Sequence, residues 1–550
     1  MIHQFSLCIS TENDQLRSER FASVSGHSPP RGATLAVCSE SHGRAQRVKV
    51  ILPYLPRITE MKASAVMVAA LLSAVGQATS GPDFTTNPAG NPFVEGWYAD
   101  PDNEFYNGEY WVYPTYSHEY DAQTFLDAFS SPDLINWTKH PNVLNTTSFP
   151  WAKRAVWAPA PIARNGKYYL YFGANDIQTN DEYGGIGVGV ADRPEGPYLD
   201  PIGKPLIGQY YNGAQPIDQD VFIDDDGQAY IYYGGHGHAN VARINEDMVS
   251  VGTFPDGDQY KEITPENYVE GPQMFKRKGK YYLFWSEGGW GGPDYAVSYG
   301  ISDNPVGPFK RLDKILQQDL AVATGSGHNG VITVPGTDIH YIIYHRHPLG
   351  STDGNDRRLA YDRLYFREDG TIQPIVMGVQ DNFKDSNMIG WSTYGGSWDT
   401  GSRKLKTVVS DGAKAAINTN FTDQYFAVDV AIPSQNDGDA GIIFRATNLQ
   451  EGAHAYRGYY LGIGTSGKIV IGRADNGWTP IKTVSAPIHT NRVYNVAVRA
   501  VGSQFDCKVT HGKDIIASFT VSDDKFQHGT NGVRAFQTKA TFDNLEVRHA

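Results

Sequence analysis

The chain has 550 residues, of which 19% are charged and 12% aromatic, and a formal net charge of −13. That length exceeds what one hydrophobic core usually serves, so two or more domains are expected. The acidic balance excludes a partner that demands a basic surface, nucleic acid first among them, while 33 Tyr and 10 Trp leave aromatic surface for flat, hydroxylated ligands.

In chain order, residues 1–60 mix charges, Ser, Gly and Pro without periodicity and read as a disordered or spurious extension. "MKASAVMVAALLSAVGQATSG" follows from Met61: a lysine, a short apolar run of small residues, and a small-residue zone near Ala78 to Gly81. That is the layout of a signal peptide over 61–80, too short for a membrane span. The expectation is therefore a chain starting at Met61, secreted, with no membrane association after cleavage. Two of the three cysteines, Cys8 and Cys38, fall in the doubtful segment, and Cys507 alone can build no intrachain disulfide framework. Residues 1–80 hold eight basic and five acidic side chains, so the remainder carries −16. Sequons at Asn136, Asn145 and Asn420 suit a glycosylated, secreted protein.

From residue 88 to 378 one phrase recurs. "NGEYWVYPT" starts at Asn107, "NGKYYLYFG" at Asn165, "DGQAYIYYG" at Asp226 and "KGKYYLFWS" at Lys278, with a degenerate fifth copy, "GTDIHYIIYH", at Gly336. Each is a turn feeding an aromatic, alternating strand, the signature of a hairpin. The first four copies are 58, 61 and 52 residues apart, which suits blades of about four strands and predicts a five-bladed β-propeller. An unspecified array of β-sandwiches is the alternative. A second phrase, "ADRPEGPY" at Ala191 and "SDNPVGPF" at Ser302, recurs between the first. From 379 to 550 the aromatic phrase disappears, and short alternating strands predict a single accessory β-sandwich, joined without a long linker and so packed on the propeller.

Three carboxylates stand out. Asp100 in "YADPD", Asp218 in "QPIDQDVFIDDDG" and Glu270 in "NYVEGPQMF" precede their blade phrases by seven, eight and eight residues. Matched offsets on successive blades predict convergence on the central axis. Clustered carboxylates repel, which pushes at least one pKa up and permits the acid–base division that glycosidic hydrolysis needs. Singly, each is an ordinary turn or strand-end acid; three at similar offsets are harder to dismiss.

Over residues 90–378, "GWYADP", "WAPAP" from Trp157, "PIDQDVFIDDDG", "YVEGP" and "GSGHNG" together resemble glycoside hydrolase family 43. The resemblance implies a five-bladed propeller and an inverting mechanism, with Asp100 as general base, Glu270 as general acid, and Asp218 as the carboxylate that tunes and orients the acid. The family's usual "IDP" reads Ile217-Asp218-Gln219 here, and the register to Phe222 favours Asp218 over Asp220. The resemblance also points to Arg357 rather than Arg358 as the arginine at the substrate, five residues before Asp362. His328 resembles the family's axial histidine, which often lies near a structural calcium or water; a satisfied structural histidine is the alternative. Trp157 and Trp97 are candidate sugar-stacking residues, with a core role the alternative for Trp157. No catalytic metal or other cofactor is required.

Other motifs carry less. "GSGHNG" matches a dinucleotide pattern but is followed by a strand and turn rather than a helix. "DDDG" at Asp224 to Gly227 lacks the remaining spacing of a calcium loop and reads as a turn. The pairs His236/His238 and His345/His347 would each share a strand face, but no further ligand set for zinc accompanies them. "DGDAGIIFRATN" and "FDNLEV" make the C-terminal region resemble concanavalin-like or carbohydrate-binding modules; a purely buttressing domain is the alternative. The expected protein is a monomeric, secreted glycosidase releasing pentose, α-L-arabinofuranose first, from plant polysaccharide. β-Xylosidase, arabinanase or galactose-specific action, a fructan-cleaving hydrolase, or a non-catalytic sugar-binding propeller are its rivals.

Overall fold

In the computed structural model, residues 89–409 and 412–550 are described; the extension, the signal-like segment, Cys8 and Cys38 lie outside them. Strands dominate, and the described helices are two short 3-10 turns, Tyr120–Ala122 and Thr146–Ser148.

Five sheets follow one another as the repeats predict. Blade one comprises Tyr98–Tyr106, Glu109–Tyr116, Phe125–Ser131 and Thr138–Asn145, each antiparallel to the next. Blade two has Trp157–Arg164, Lys167–Ala174 and Gly185–Ala191, with isolated bridges to Leu199 and Ile207 where a fourth strand would be. Blade three runs from Asp220–Ile223 to Tyr260–Glu262, and blade four from Glu270–Arg277 to Lys310–Leu316. Blade five takes Ala323–Thr333, His340–Pro348 and Arg358–Leu364, and its outermost strand is the two-residue Ala89–Gly90. The ring is thus closed by a segment that precedes blade one in the chain.

The hairpin chemistry is visible in the turns. Asn107-Gly108, Asn165-Gly166 and Lys278-Gly279 all have positive φ at both positions, the two-residue geometry that matches strand twist. Lysine at the third site shows that the flanking aromatic strands, Phe275 to Arg277 and Lys280 to Tyr282, set the turn as firmly as its own residues do. Both copies of the second phrase carry a cis Gly–Pro bond, Gly196–Pro197 and Gly307–Pro308. "DDDG" is a hairpin turn, with Asp224 accepting from Tyr281 Oη at 2.7 Å and paired with Lys276 Nζ.

The C-terminal region forms two mainly antiparallel sheets, of eight and seven strands, between Val379 and His549. Phe426, Val428, Val496 and Val498 of one sheet pack with Ile442, Phe444, Tyr459 and Leu461 of the other in a shared core; Phe505 meets Phe444 edge-on at 5.3 Å. Cys507 is buried in that core as a free thiol. The same apolar cluster runs on into blades four and five through Phe284, Tyr299, Ile342 and Tyr344. Asn420 N–H of the sandwich donates to Ala321 O of the propeller at 2.8 Å. The expected packing of sandwich on propeller is therefore a continuous core. No helix among the described residues is long and apolar enough to cross a membrane.

Candidate active site

Each blade has a left-handed residue in its innermost strand or, in blade three, two residues ahead of it: Asp100 (φ 46°), Ala158 (44°), Asp218 (54°), Gly271 (62°) and His328 (47°), with Gly325 (53°) a second one in blade five. Gly325 apart, each stands six residues ahead of the last ladder residue before its hairpin turn, namely Tyr106, Arg164, Asp224, Arg277 and Val334. In blades one, two, four and five the ladder register shifts across that point. These are β-bulges, which interrupt alternation and re-aim a side chain. Three of the left-handed residues, Asp100, Asp218 and His328, line one cavity.

This finding corrects the spacing argument. Asp100 and Asp218 occupy equivalent sites, but Glu270 is one residue ahead of its blade's equivalent, which is Gly271. Counting to the turn gave similar offsets only because the turns differ in length. Glu270 leaves the strand before the bulge rather than from it.

Together these residues line a cavity of about 240 Å³ whose wall includes Asp100, Asp218, Glu270, His328, Arg357, Trp157, Trp290 and Tyr120. Asp100 is buried, and its Oδ1 receives Arg357 Nη1 at 3.1 Å, with His345 Nδ1 at 3.2 Å and His328 Nδ1 at 3.6 Å. Burial alone would raise its pKa; the Arg357 guanidinium, with the two histidines, outweighs that and holds the carboxyl well below the usual range. Arg357 is itself fixed by Ser117 Oγ at 3.0 Å and by the Trp290 ring, 4.8 Å away.

Glu270 has the opposite environment. Burial pushes its pKa up to about 7, and the Asp100 charge adds to that, against a hydrogen bond from Tyr295 Oη to Oε1 at 2.9 Å. Asp218 is buried and raised well above the carboxylate norm, by burial first and then by Glu270 and Asp100. Asp100 and Glu270, in the wall of one cavity, are thus driven to opposite protonation states, one ionised and one able to hold a proton at neutral pH.

Of the remaining candidates, Trp157 lines the cavity with its Nε1 on Gln123 Oε1 at 2.5 Å and Tyr120 edge-on at 4.9 Å. Trp97 does not line it. Its ring stacks under Arg358, at 4.5 Å, and faces a separate cavity; as the residue just before Tyr98, it points away from the channel before the bulge takes effect. Asp220 lies beyond Asp218, accepting from Met274 N–H at 2.6 Å. His328 Nδ1 has Asp100 and Asp218 at 3.6 and 3.7 Å, but among the described residues no cluster of three or more His, Cys, Asp or Glu side chains is placed to hold a metal ion. His236 lines the cavity from a turn rather than a strand; His345 and His347 do share a strand face, their rings 6.3 Å apart. Sequence reasoning missed Tyr295, Ser117, Trp290 and His345 as supports of the carboxylates. His345 had surfaced only as half of a zinc pair, and the others carry no local signal.

A propeller that sets one ionised and one protonatable carboxyl in a single cavity has the acid–base pair of a glycosidase. Residues 89–372 match the family model for glycosyl hydrolases family 43, and the chain belongs to that family. It is similar to a β-D-galactofuranosidase of Aspergillus niger, 48% identical over 53% of this chain and 86% of that protein. A xylosidase/arabinosidase of Humicola insolens is 28% identical over 50% of this chain and 95% of the relative. An arabinoxylan arabinofuranohydrolase of Paenibacillus polymyxa is 27% identical over 62% and 60% respectively.

Proposed function

We propose that the chain is a secreted, inverting exo-glycosidase that releases a terminal furanosyl residue, α-L-arabinofuranose first, from plant cell-wall polysaccharide. The observation that carries this reading is the opposed electrostatics of Asp100 and Glu270 across a cavity of about 240 Å³, below the roughly 300–1,000 Å³ of pockets for drug-sized ligands and suited to one sugar ring. Asp100, ionised and oriented by Arg357, takes a proton from water on the face opposite the leaving group. Glu270 delivers its proton to the glycosidic oxygen, and the anomeric carbon inverts through an oxocarbenium-like transition state. Asp218 lines the same cavity, itself driven towards the neutral form by burial and by Glu270 and Asp100, and takes the orienting role that the family resemblance gives it. Trp157 supplies an aromatic wall.

The 48% identical relative named a β-D-galactofuranosidase favours a second reading. β-D-galactofuranose has the ring configuration of α-L-arabinofuranose and differs by a longer exocyclic arm, so the same carboxylates would serve both. Rates on p-nitrophenyl α-L-arabinofuranoside, β-D-galactofuranoside and β-D-xylopyranoside, with the released anomer followed by NMR, decide between them. Failure to cleave any of these, or arabinan and arabinoxylan, would sink the proposal; retention of configuration would sink the inverting mechanism.

A further inference from the structure

A second cavity, of about 410 Å³, lies where the sandwich meets blade five and the segment entering blade one. Its wall includes Trp97, Arg346, Arg358, Trp391 and Asn418, with exposed Glu95 as the acidic member. Arg357 lines the active-site cavity and Arg358, the next residue, lines this one.

The charges there are unbalanced. Arg346 and Arg358 are directly opposite each other on neighbouring strands, an arrangement of like charges that destabilises a sheet. Arg346 is only 6% exposed, and its Nε donates to the neutral Asn91 Oδ1 at 2.8 Å. Among the described residues neither guanidinium makes an ion pair within 4.0 Å. Burial, opposed by Tyr344 and Asp362 and reinforced by Arg358, pulls the Arg346 pKa down to about 10. Arg357, by contrast, is paired with Asp100. Paired guanidinium forks beside indole rings match a planar carboxylate attached to a sugar ring.

We propose that this seam cavity is an accessory subsite for a uronic-acid residue of the polysaccharide, its carboxylate seated between Arg346 and Arg358 within a wall that includes Trp97 and Trp391. The inference rests on the polysaccharide reading above, but its test reads binding rather than hydrolysis, so the two can fail separately. The site would select chains bearing glucuronate or galacturonate near the furanosyl branch being removed, and the sandwich would shape specificity without touching the reaction.

The test is calorimetric titration of the full chain with a xylo-oligosaccharide bearing one glucuronosyl substituent, with a galacturonate oligomer, and with the carboxyl-reduced form of each. At least one acidic ligand should bind about tenfold or more tightly than its reduced form, the scale of a charge-assisted hydrogen bond. In Arg358→Gln that ratio should fall to about one, and Arg358→Lys should recover part of it. Thermal melting at the wild-type temperature would confirm that both variants fold. Equal binding of acidic and reduced ligands, no binding of either acid, or discrimination that survives Arg358→Gln would overturn the proposal.

Discussion

Blades one and four use the same backbone bulge to opposite chemical ends. In blade one the left-handed residue is the carboxylate itself, Asp100, carried into the reach of Arg357 and His345. In blade four glycine occupies that position, and the carboxylate is the residue before it, beside Tyr295 and without a cation in contact. A one-residue offset in a strand changes which way a side chain points. Here it also changes which neighbours the acid meets, and so whether it keeps its proton. The lesson is that the division between base and acid is written in register before it is written in charge.

The largest break should come from blade one. Asp100→Asn keeps shape and loses the charge that accepts the proton; kcat should fall by about 10³ or more, with a folded protein by circular dichroism. Glu270→Gln should cost on the order of 10²–10⁴ on polysaccharide, but far less on aryl glycosides whose leaving group needs no proton. Comparing the two substrates isolates the acid.

Gly271→Ala tests the register itself. An added Cβ would lie 3.2 Å from Ser286 Oγ and 3.3 Å from His328 Nδ1, at a φ of 62°. Left-handed backbone costs an L-residue about 1–2 kcal/mol. Ala158 already bears that cost in blade two, so the variant should fold with a lowered melting temperature, and the displaced Glu270 should show a kcat loss larger than its change in KM. Tyr295→Phe should act more subtly. The phenol stabilises the Glu270 carboxylate, so removing it raises the pKa; the fall in kcat/KM as pH rises through about 7 should move to higher pH. Smallest of all, Trp97→Ala should leave kcat on a small aryl furanoside unchanged, because the ring faces the other cavity.

Much of this was legible in the residues. Asn-Gly turns and aromatic runs disclose a propeller because hairpins are local, and the three acids lie near the same place in each repeat. The left-handed bulges were not legible: Ala158 adopts one with no residue to advertise it, and the sign of φ leaves no mark on composition. Trp97 was misplaced for the same reason, since alternation holds only up to the bulge. In the sandwich, individual strands could be read, but pairing such as Leu405 with Phe542 spans the whole region and depends on tertiary packing. Arg357 and Arg358 could be told apart through the family resemblance; their opposite destinations needed the strand between them.

The closure of blade five has a consequence for how the molecule could be taken apart or rearranged. Ala89 pairs with Asp362, and the Asp362 carboxylate accepts from Gly378 N–H at 2.7 Å, so the chain enters and leaves the propeller at almost the same point. A ring with neighbouring ends can be recut at another hairpin and rejoined across that point without moving the left-handed residues of its inner strands, provided the sandwich that shares its core stays attached.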